Sequence, residues 1–182
     1  MAEPMKRRDL FRATSAVAAA ALPLPVLSQE RMAREAGAAA WTPRVFDAHQ
    51  NETVIVLTEL IIPKTDTPGA KETLVNRYID LLLADGGETA RASFLDGLNW
   101  LDGYALSKHQ KPFIACSPAE QTSLLQTLDT GAGEELAPGR RFFRLAKSWT
   151  ANIYYKTAAG FQELNKGGRV PKSYGCTHPE HA

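Results

Sequence analysis

The chain has 182 residues, 21 of them basic and 20 acidic, so its formal net charge at pH 7 is +1. Apolar residues make up 44% of the sequence and charged residues 23%, which is typical of a globular protein and not of a disordered one. A charge balance this close to zero gives no support for nucleic-acid binding, which needs a concentrated basic surface. We therefore expect a folded protein with no nucleic-acid partner.

The first 28 residues predict an export signal. Adjacent Arg7 and Arg8 begin it, an alanine-rich run from Ala13 to Ala21 follows, and small residues end it near Ser28. This order is typical of a signal peptide, and the arginine pair favours the twin-arginine route, which exports folded proteins. An arginine pair in a general secretory signal is the alternative. We place cleavage after Ser28 and expect a periplasmic location.

The remaining 154 residues are enough for one domain with its own core. Their composition suggests a linker over residues 29–41, a helical domain over 42–160 and a C-terminal tail over 161–182. The two cysteines, Cys116 and Cys176, would enter an oxidising compartment. They could pair with each other, or Cys176 could form a bridge to another chain.

Apolar residues recur at helical spacing through most of the chain after residue 41. Thr42-Pro43 predicts the start of a helix that Pro63 ends, and Gly86-Gly87 ends the next one. A third helix is predicted from Glu88 to about Ser107, a short one after the Ser117–Glu120 capping box, and a long aromatic one ending near Tyr154. No segment alternates with a strand period. The sequence predicts a small all-α bundle with an extended tail after Gly160.

Motifs that would carry chemistry in this chain are missing. There is no glycine-rich dinucleotide fingerprint, phosphate-binding loop, covalent haem motif or serine nucleophile elbow. A metal site in the tail, from Cys176, His178 and His181, has no evident fourth ligand, so an exposed tail or a disulfide is favoured. The sequence predicts a non-catalytic chain without a cofactor or metal of its own.

Aromatic side chains in the last long helix lie at helical spacing, which favours a core role over a surface that binds a sugar or a flavin. Some of them, Trp149, Tyr154 and Tyr155 among others, are also candidates for contact with a partner subunit, because a bundle of this size need not bury so many rings.

Several segments together resemble the gluconate 2-dehydrogenase subunit 3 family. The most specific are Leu60-Ile61-Ile62-Pro63 and Thr65-Asp66-Thr67-Pro68-Gly69-Ala70, together with the leader. Tyr78-Ile79-Asp80, the aromatic helix that ends in Tyr154-Tyr155-Lys156-Thr157-Ala158-Ala159-Gly160, and the terminal Tyr174-Gly175-Cys176 fit the same pattern. The likeness spans roughly residues 42–176.

The resemblance implies an accessory subunit of an FAD-dependent dehydrogenase that oxidises sugars, sugar acids or alcohols in the periplasm. It implies a large FAD-binding catalytic subunit as partner, often a cytochrome c subunit as well, and export of the folded complex by the twin-arginine translocase. Membrane association would come through the complex. The free-standing alternative is a periplasmic helical protein that binds a small ligand or the cell envelope.

The same resemblance supplies candidate residues for contact with the large subunit. The segment from Pro63 to Ala70 is either a docking loop or a plain helix connection, and Cys176 is a candidate for a disulfide to that subunit. The candidate contacts are Asp66, Pro68, Gly69, Trp149, Tyr154, Tyr155 and Tyr174.

Overall fold

The structure, a computed structural model, describes residues 26–165. This part of the chain is built of helices and contains no strand, which confirms the predicted all-α class. The helices are α1 (Val26–Ala36), α2 (Ala48–Ile61), α3 (Val75–Asp85), α4 (Glu88–His109), α5 (Pro118–Thr130), α6 (Ala137–Tyr154) and α7 (Ala158–Leu164), with 3-10 turns at Phe113–Ala115 and Glu134–Leu136.

Two predicted helix boundaries follow from local sequence signals. Ser117 caps α5 through a capping box with Glu120, as its sequence predicts, and Glu120 accepts a hydrogen bond from the Ser117 amide at 2.7 Å. Gly86 ends α3, and Gly87 has a φ of +82°, a backbone conformation that favours glycine. Gly87 therefore supplies a backbone conformation that other residues rarely adopt in the connection from α3 to α4.

The predicted helix start at Thr42-Pro43 is wrong. Asp47 caps α2 instead, in a capping box with Gln50. The residues just before Asp47 form a bend and not a helix. Their amides donate hydrogen bonds to the carboxylate of Asp80 in α3, from Arg44 at 2.8 Å, Val45 at 3.0 Å and Phe46 at 3.0 Å. Asp80 is fully buried, so these three bonds replace the water that its charge loses.

The main core lies between α2, α3, α4, α5 and α6, with the Phe94 ring near its centre. The Phe94 ring centroid lies 5.3 Å from that of Phe142 in an edge-on contact and 5.3 Å from that of Trp149 in a stacked one. Phe142, Phe143 and Tyr154 are buried here, as the helical spacing of the aromatic segment predicts. Rings therefore supply much of the apolar area of this core.

Two glycines let α4 and α6 approach each other closely. A Cβ at Gly97 of α4 would lie 2.1 Å from the Phe142 ring, and a Cβ at Gly139 of α6 would lie 2.0 Å from the Trp100 ring. On each helix, the absence of a Cβ atom at one glycine leaves space for an aromatic ring of the other helix.

α1 packs against α3 through a separate small cluster, made of Met32, Ala36 and Leu81. The Arg31 guanidinium lies 2.6 Å from the Asp85 carboxylate, and Arg77 donates hydrogen bonds to the carbonyls of Ala36 (2.8 Å) and Ala38 (3.0 Å). The segment 29–41, predicted to be a linker, thus carries most of a docked helix, and the predicted cleavage position after Ser28 falls within it.

The predicted extended tail after Gly160 begins as a helix. Thr157 caps α7, and its hydroxyl accepts a hydrogen bond from the Gly160 amide at 3.2 Å. Before α6, the connection from α5 contains the 3-10 turn Glu134–Leu136.

Candidate partner-docking site

The loop between α2 and α3 is closed around one carboxylate. Glu59, in the last turn of α2, accepts hydrogen bonds from the amides of Lys64 (2.9 Å) and Lys71 (2.8 Å). The Ala70 amide also donates to the Ile62 carbonyl at 2.9 Å, which joins the two ends of the loop. The loop is therefore held by hydrogen bonds that its backbone amides donate to the Glu59 carboxylate and to the Ile62 carbonyl.

Gly69 has a steric role in this loop. A Cβ at this position would lie 2.6 Å from both carboxylate oxygens of Glu59 and 2.6 Å from the Lys64 amide nitrogen. Any side chain here would push the Glu59 carboxylate away from the amides it binds. The glycine of the Pro-Gly-Ala sequence is thus explained by the geometry of the loop itself.

Tyr154, at the end of α6, connects this loop to α7. Its hydroxyl lies 2.8 Å from the Pro68 carbonyl and 2.9 Å from the Glu163 carboxylate, and the Thr67 hydroxyl donates to the same carboxylate at 3.2 Å. Burial, and secondly the neighbouring Glu163 carboxylate, raise the pKa of Tyr154 above its usual value. We call this arrangement of Thr67, Pro68, Tyr154 and Glu163 the tyrosine clasp.

The clasp turns the Glu163 side chain of α7 toward the bundle, and two large apolar side chains of the same helix face solvent. Phe161 is 49% exposed and Leu164 51%, three residues apart on α7. Tyr155, on the turn before α7, is 38% exposed, and its ring packs edge-on against Tyr154. We call Tyr155, Phe161 and Leu164 the outward face.

The structure brings together part of the predicted set of contact residues. Pro68, Gly69 and Tyr154 meet at the loop and the clasp, Tyr155 lies beside them, and Asp66 is exposed in the same loop. Trp149 is apart from this group, half-buried and stacked on Phe94. Tyr174 and Cys176, like the leader arginines Arg7 and Arg8, lie outside the described residues.

Sequence reasoning missed Glu59, Glu163, Phe161 and Leu164. Nothing local marks the two carboxylates, because their partners come from other elements of the fold. The α7 pair had a signal: Thr157 is a capping residue, and Phe161 and Leu164 follow it at helical spacing.

Cys116 and His49 both contact other groups of the bundle. Cys116 is buried, its thiol lies 3.6 Å from the Pro112 carbonyl, and burial is the main cause that raises the pKa of this thiol. His49 lies 2.5 Å from the Asp102 carboxylate, which also accepts the Phe113 amide at 2.8 Å. His49 thus has a partner within the protein.

Within residues 26–165, no group of three or more histidine, cysteine, aspartate or glutamate side chains could hold a metal ion. In the same part of the chain, no helix has the length and apolar character that crossing a bilayer requires.

An open groove of about 430 Å³ lies between α4 and the turn Glu134–Leu136, and Trp100, Gly103 and Tyr104 line part of it.

Comparison with protein families gives one match. The family described as gluconate 2-dehydrogenase subunit 3 matches residues 48–168, from the start of α2 past the end of α7. The chain belongs to this family. Comparisons with curated proteins and with solved structures return no match. The family match confirms the resemblance that the loop and aromatic motifs indicate, and it includes the clasp.

Proposed function

We propose that this chain is the non-catalytic small subunit of a gluconate 2-dehydrogenase-like, FAD-dependent dehydrogenase of the periplasm. The observation that carries the proposal is the family match over residues 48–168, because it includes every helix of the bundle after α1. In this assignment the large subunit binds FAD and oxidises a sugar, sugar acid or alcohol. The small subunit binds and stabilises that folded subunit.

An escort role follows from the leader. The arginine pair at Arg7 and Arg8 favours the twin-arginine translocase, which accepts folded proteins, so a large subunit without a signal would leave the cytoplasm bound to this chain. A cytochrome c subunit is a further proposed partner that would receive the electrons. Cys176 is the candidate for a disulfide to the large subunit.

Export of the enzyme tests the escort role. The chain is co-expressed with the large FAD subunit, and dehydrogenase activity is measured in periplasmic and cytoplasmic fractions. We expect Arg7→Lys together with Arg8→Lys to move the activity to the cytoplasm. Arg12→Lys, a leader arginine outside the pair, is the matched control and should leave the activity in the periplasm. Periplasmic activity in the double variant would contradict the escort role.

One observation favours the alternative of a free-standing ligand-binding protein, namely the groove beside Trp100 and Tyr104. Its volume of about 430 Å³ lies in the range of small-molecule sites. However, the Tyr104 ring is stacked on the Trp100 ring, with the ring centroids 5.0 Å apart, and the Lys108 ammonium lies 5.5 Å from the Tyr104 ring centroid. The two rings that would contact a ligand therefore already contact each other. Purification of the chain alone separates the two hypotheses: the free-standing protein binds a small ligand in this groove as a monomer, whereas the subunit binds no small ligand there and forms a stable complex when the flavoprotein is added.

A further inference from the structure

α7 differs from an ordinary surface helix in the direction of one carboxylate and two large apolar side chains. A surface helix normally turns apolar residues to the core and charged residues to solvent. In α7 the Glu163 carboxylate contacts the Tyr154 and Thr67 hydroxyls of the bundle, whereas Phe161 and Leu164 are about half exposed. A folded protein keeps such an arrangement at little benefit to its own stability, which indicates a surface that something else covers.

Exposed apolar side chains are concentrated at this place. Within residues 31–165, four large apolar side chains are exposed, and three of them, Tyr155, Phe161 and Leu164, fall within ten residues of the sequence. The fourth, Leu106, lies on α4 and is 46% exposed. Scattered exposed apolar residues are normal in soluble proteins, but a concentration of them marks an interaction site.

Residues 166–182 are a poor cover for this face. Among them Val170 and Tyr174 are the large apolar ones, against three glycines, two prolines, Lys166, Arg169 and Lys172. A segment with so little apolar surface gains little from burial there, and ordering it costs conformational entropy. A separate protein with a complementary apolar surface is the better occupant.

We infer that the outward face, made of Tyr155, Phe161 and Leu164, is the apolar centre of the surface that receives the catalytic subunit. This inference rests on the proposed function. The clasp prepares the face before binding, because Glu163 is already fixed to Tyr154 and Thr67 and α7 need not be reoriented. A stable interface covers about 800 Å² on each partner, so polar residues around these three would form its rim.

The test is a binding titration of the full chain against the large FAD subunit with which it is co-expressed. In one variant, Phe161→Gln and Leu164→Gln are combined, since glutamine keeps the length and helix propensity and removes the apolar surface. Leu106→Gln is the matched control, because Leu106 is equally exposed but isolated on α4. We expect the double variant to weaken binding at least tenfold and the control to change it less than twofold. The thermal midpoint of the free double variant should stay within about 2 °C of wild type.

The other outcomes contradict the inference in distinguishable ways. If the double variant binds like the wild type, this face is not the docking surface, while the proposed function stands. A large drop in the thermal midpoint of the free chain would show that its own C-terminal segment covers the face. A dimer of the wild-type chain that dissociates in the double variant would assign the face to a second copy. If the wild-type chain does not bind the flavoprotein, the proposed function fails and the inference fails with it.

Discussion

The helices at the two ends of the described chain are attached to the bundle in opposite ways. α1 buries Met32 and Ala36 against Leu81 and forms ion pairs at its surface. α7 binds the bundle through the Glu163 carboxylate and exposes Phe161 and Leu164. Met32 and Ala36 of α1 thus lie in a closed cluster, whereas Phe161 and Leu164 of α7 are left to solvent, as the docking proposed above requires. A helix can therefore be held by polar contacts while its large apolar side chains remain exposed.

Removing the centre of the clasp should have the largest effect. Tyr154 is 1% exposed, and Tyr154→Ala removes a core ring together with the contacts to Pro68 and Glu163. We expect the free energy of unfolding to fall by about 3–5 kcal/mol. Tyr154→Phe keeps the ring and should cost about 1–2 kcal/mol, the contribution of the hydroxyl. Urea denaturation followed by circular dichroism measures both.

The neighbouring Tyr155 is the control for this experiment. It is 38% exposed, so Tyr155→Ala should cost no more than about 1 kcal/mol. Equal losses at the two positions would contradict the central role of Tyr154 in the attachment of α7.

Truncation of the buried side chain of α1 should have an intermediate and local effect. Met32 is 4% exposed in a cluster separate from the main core. Met32→Ala should lower the free energy of local opening of α1 by about 2 kcal/mol, a rise of roughly 30-fold in amide exchange within this helix. Hydrogen-exchange mass spectrometry of the α1 and α4 peptides checks this.

Arg34, exposed on the same helix, provides the matched substitution Arg34→Ala. This change should leave exchange in α1 almost unaffected. If Met32→Ala accelerates exchange in α4 as much as in α1, then α1 is part of the main cooperative unit and the comparison of the two ends has to be revised.

The smallest effect concerns alkaline pH. Burial and Glu163 raise the pKa of Tyr154, so the folded state holds the hydroxyl proton more tightly than the unfolded state does. The resulting stability is present below about pH 10 and is lost as the pH rises through the folded pKa. Tyr154→Phe should reduce this alkaline loss without abolishing it, because burial also raises the pKa of Tyr78, which packs near α1.

Denaturation midpoints of both proteins at about pH 8 and pH 11 measure this difference. An alkaline loss of equal size in Tyr154→Phe would show that other groups account for all of it, and that the clasp hydroxyl contributes none.

Local signals in the sequence predict some of this structure and long-range contacts decide the rest. The Ser117 capping box and the end of α3 at Gly86-Gly87 depend on residues close together in the sequence, and both form as predicted. The start of α2 was mispredicted although Asp47 and Gln50 also form a capping box, because Thr42-Pro43 gave a competing signal. Nothing near residues 44–46 indicates that the Asp80 carboxylate binds their amides.

The candidate docking site likewise depends partly on local sequence signals and partly on long-range contacts. Pro68, Gly69 and Tyr154 could be selected through the family motif, but their common role appears only when Glu59 and Glu163 are in place. The composition of residues 29–41 predicts a linker because the apolar cluster of α1 is completed only by Leu81, some fifty residues later in the chain. Periodicity identifies an apolar face, but it does not state which surface will cover it.

The two ring-to-glycine contacts between α4 and α6 fix how these helices can slide. Gly97 receives Phe142 and, three residues further along α4, Trp100 meets Gly139, so the helices run antiparallel with both contacts made in one alignment. A shift by one turn would press each ring against a residue that carries a Cβ. The observed register is the one in which both glycines face a ring, and in it Tyr154, at the end of α6, reaches the Pro68 carbonyl.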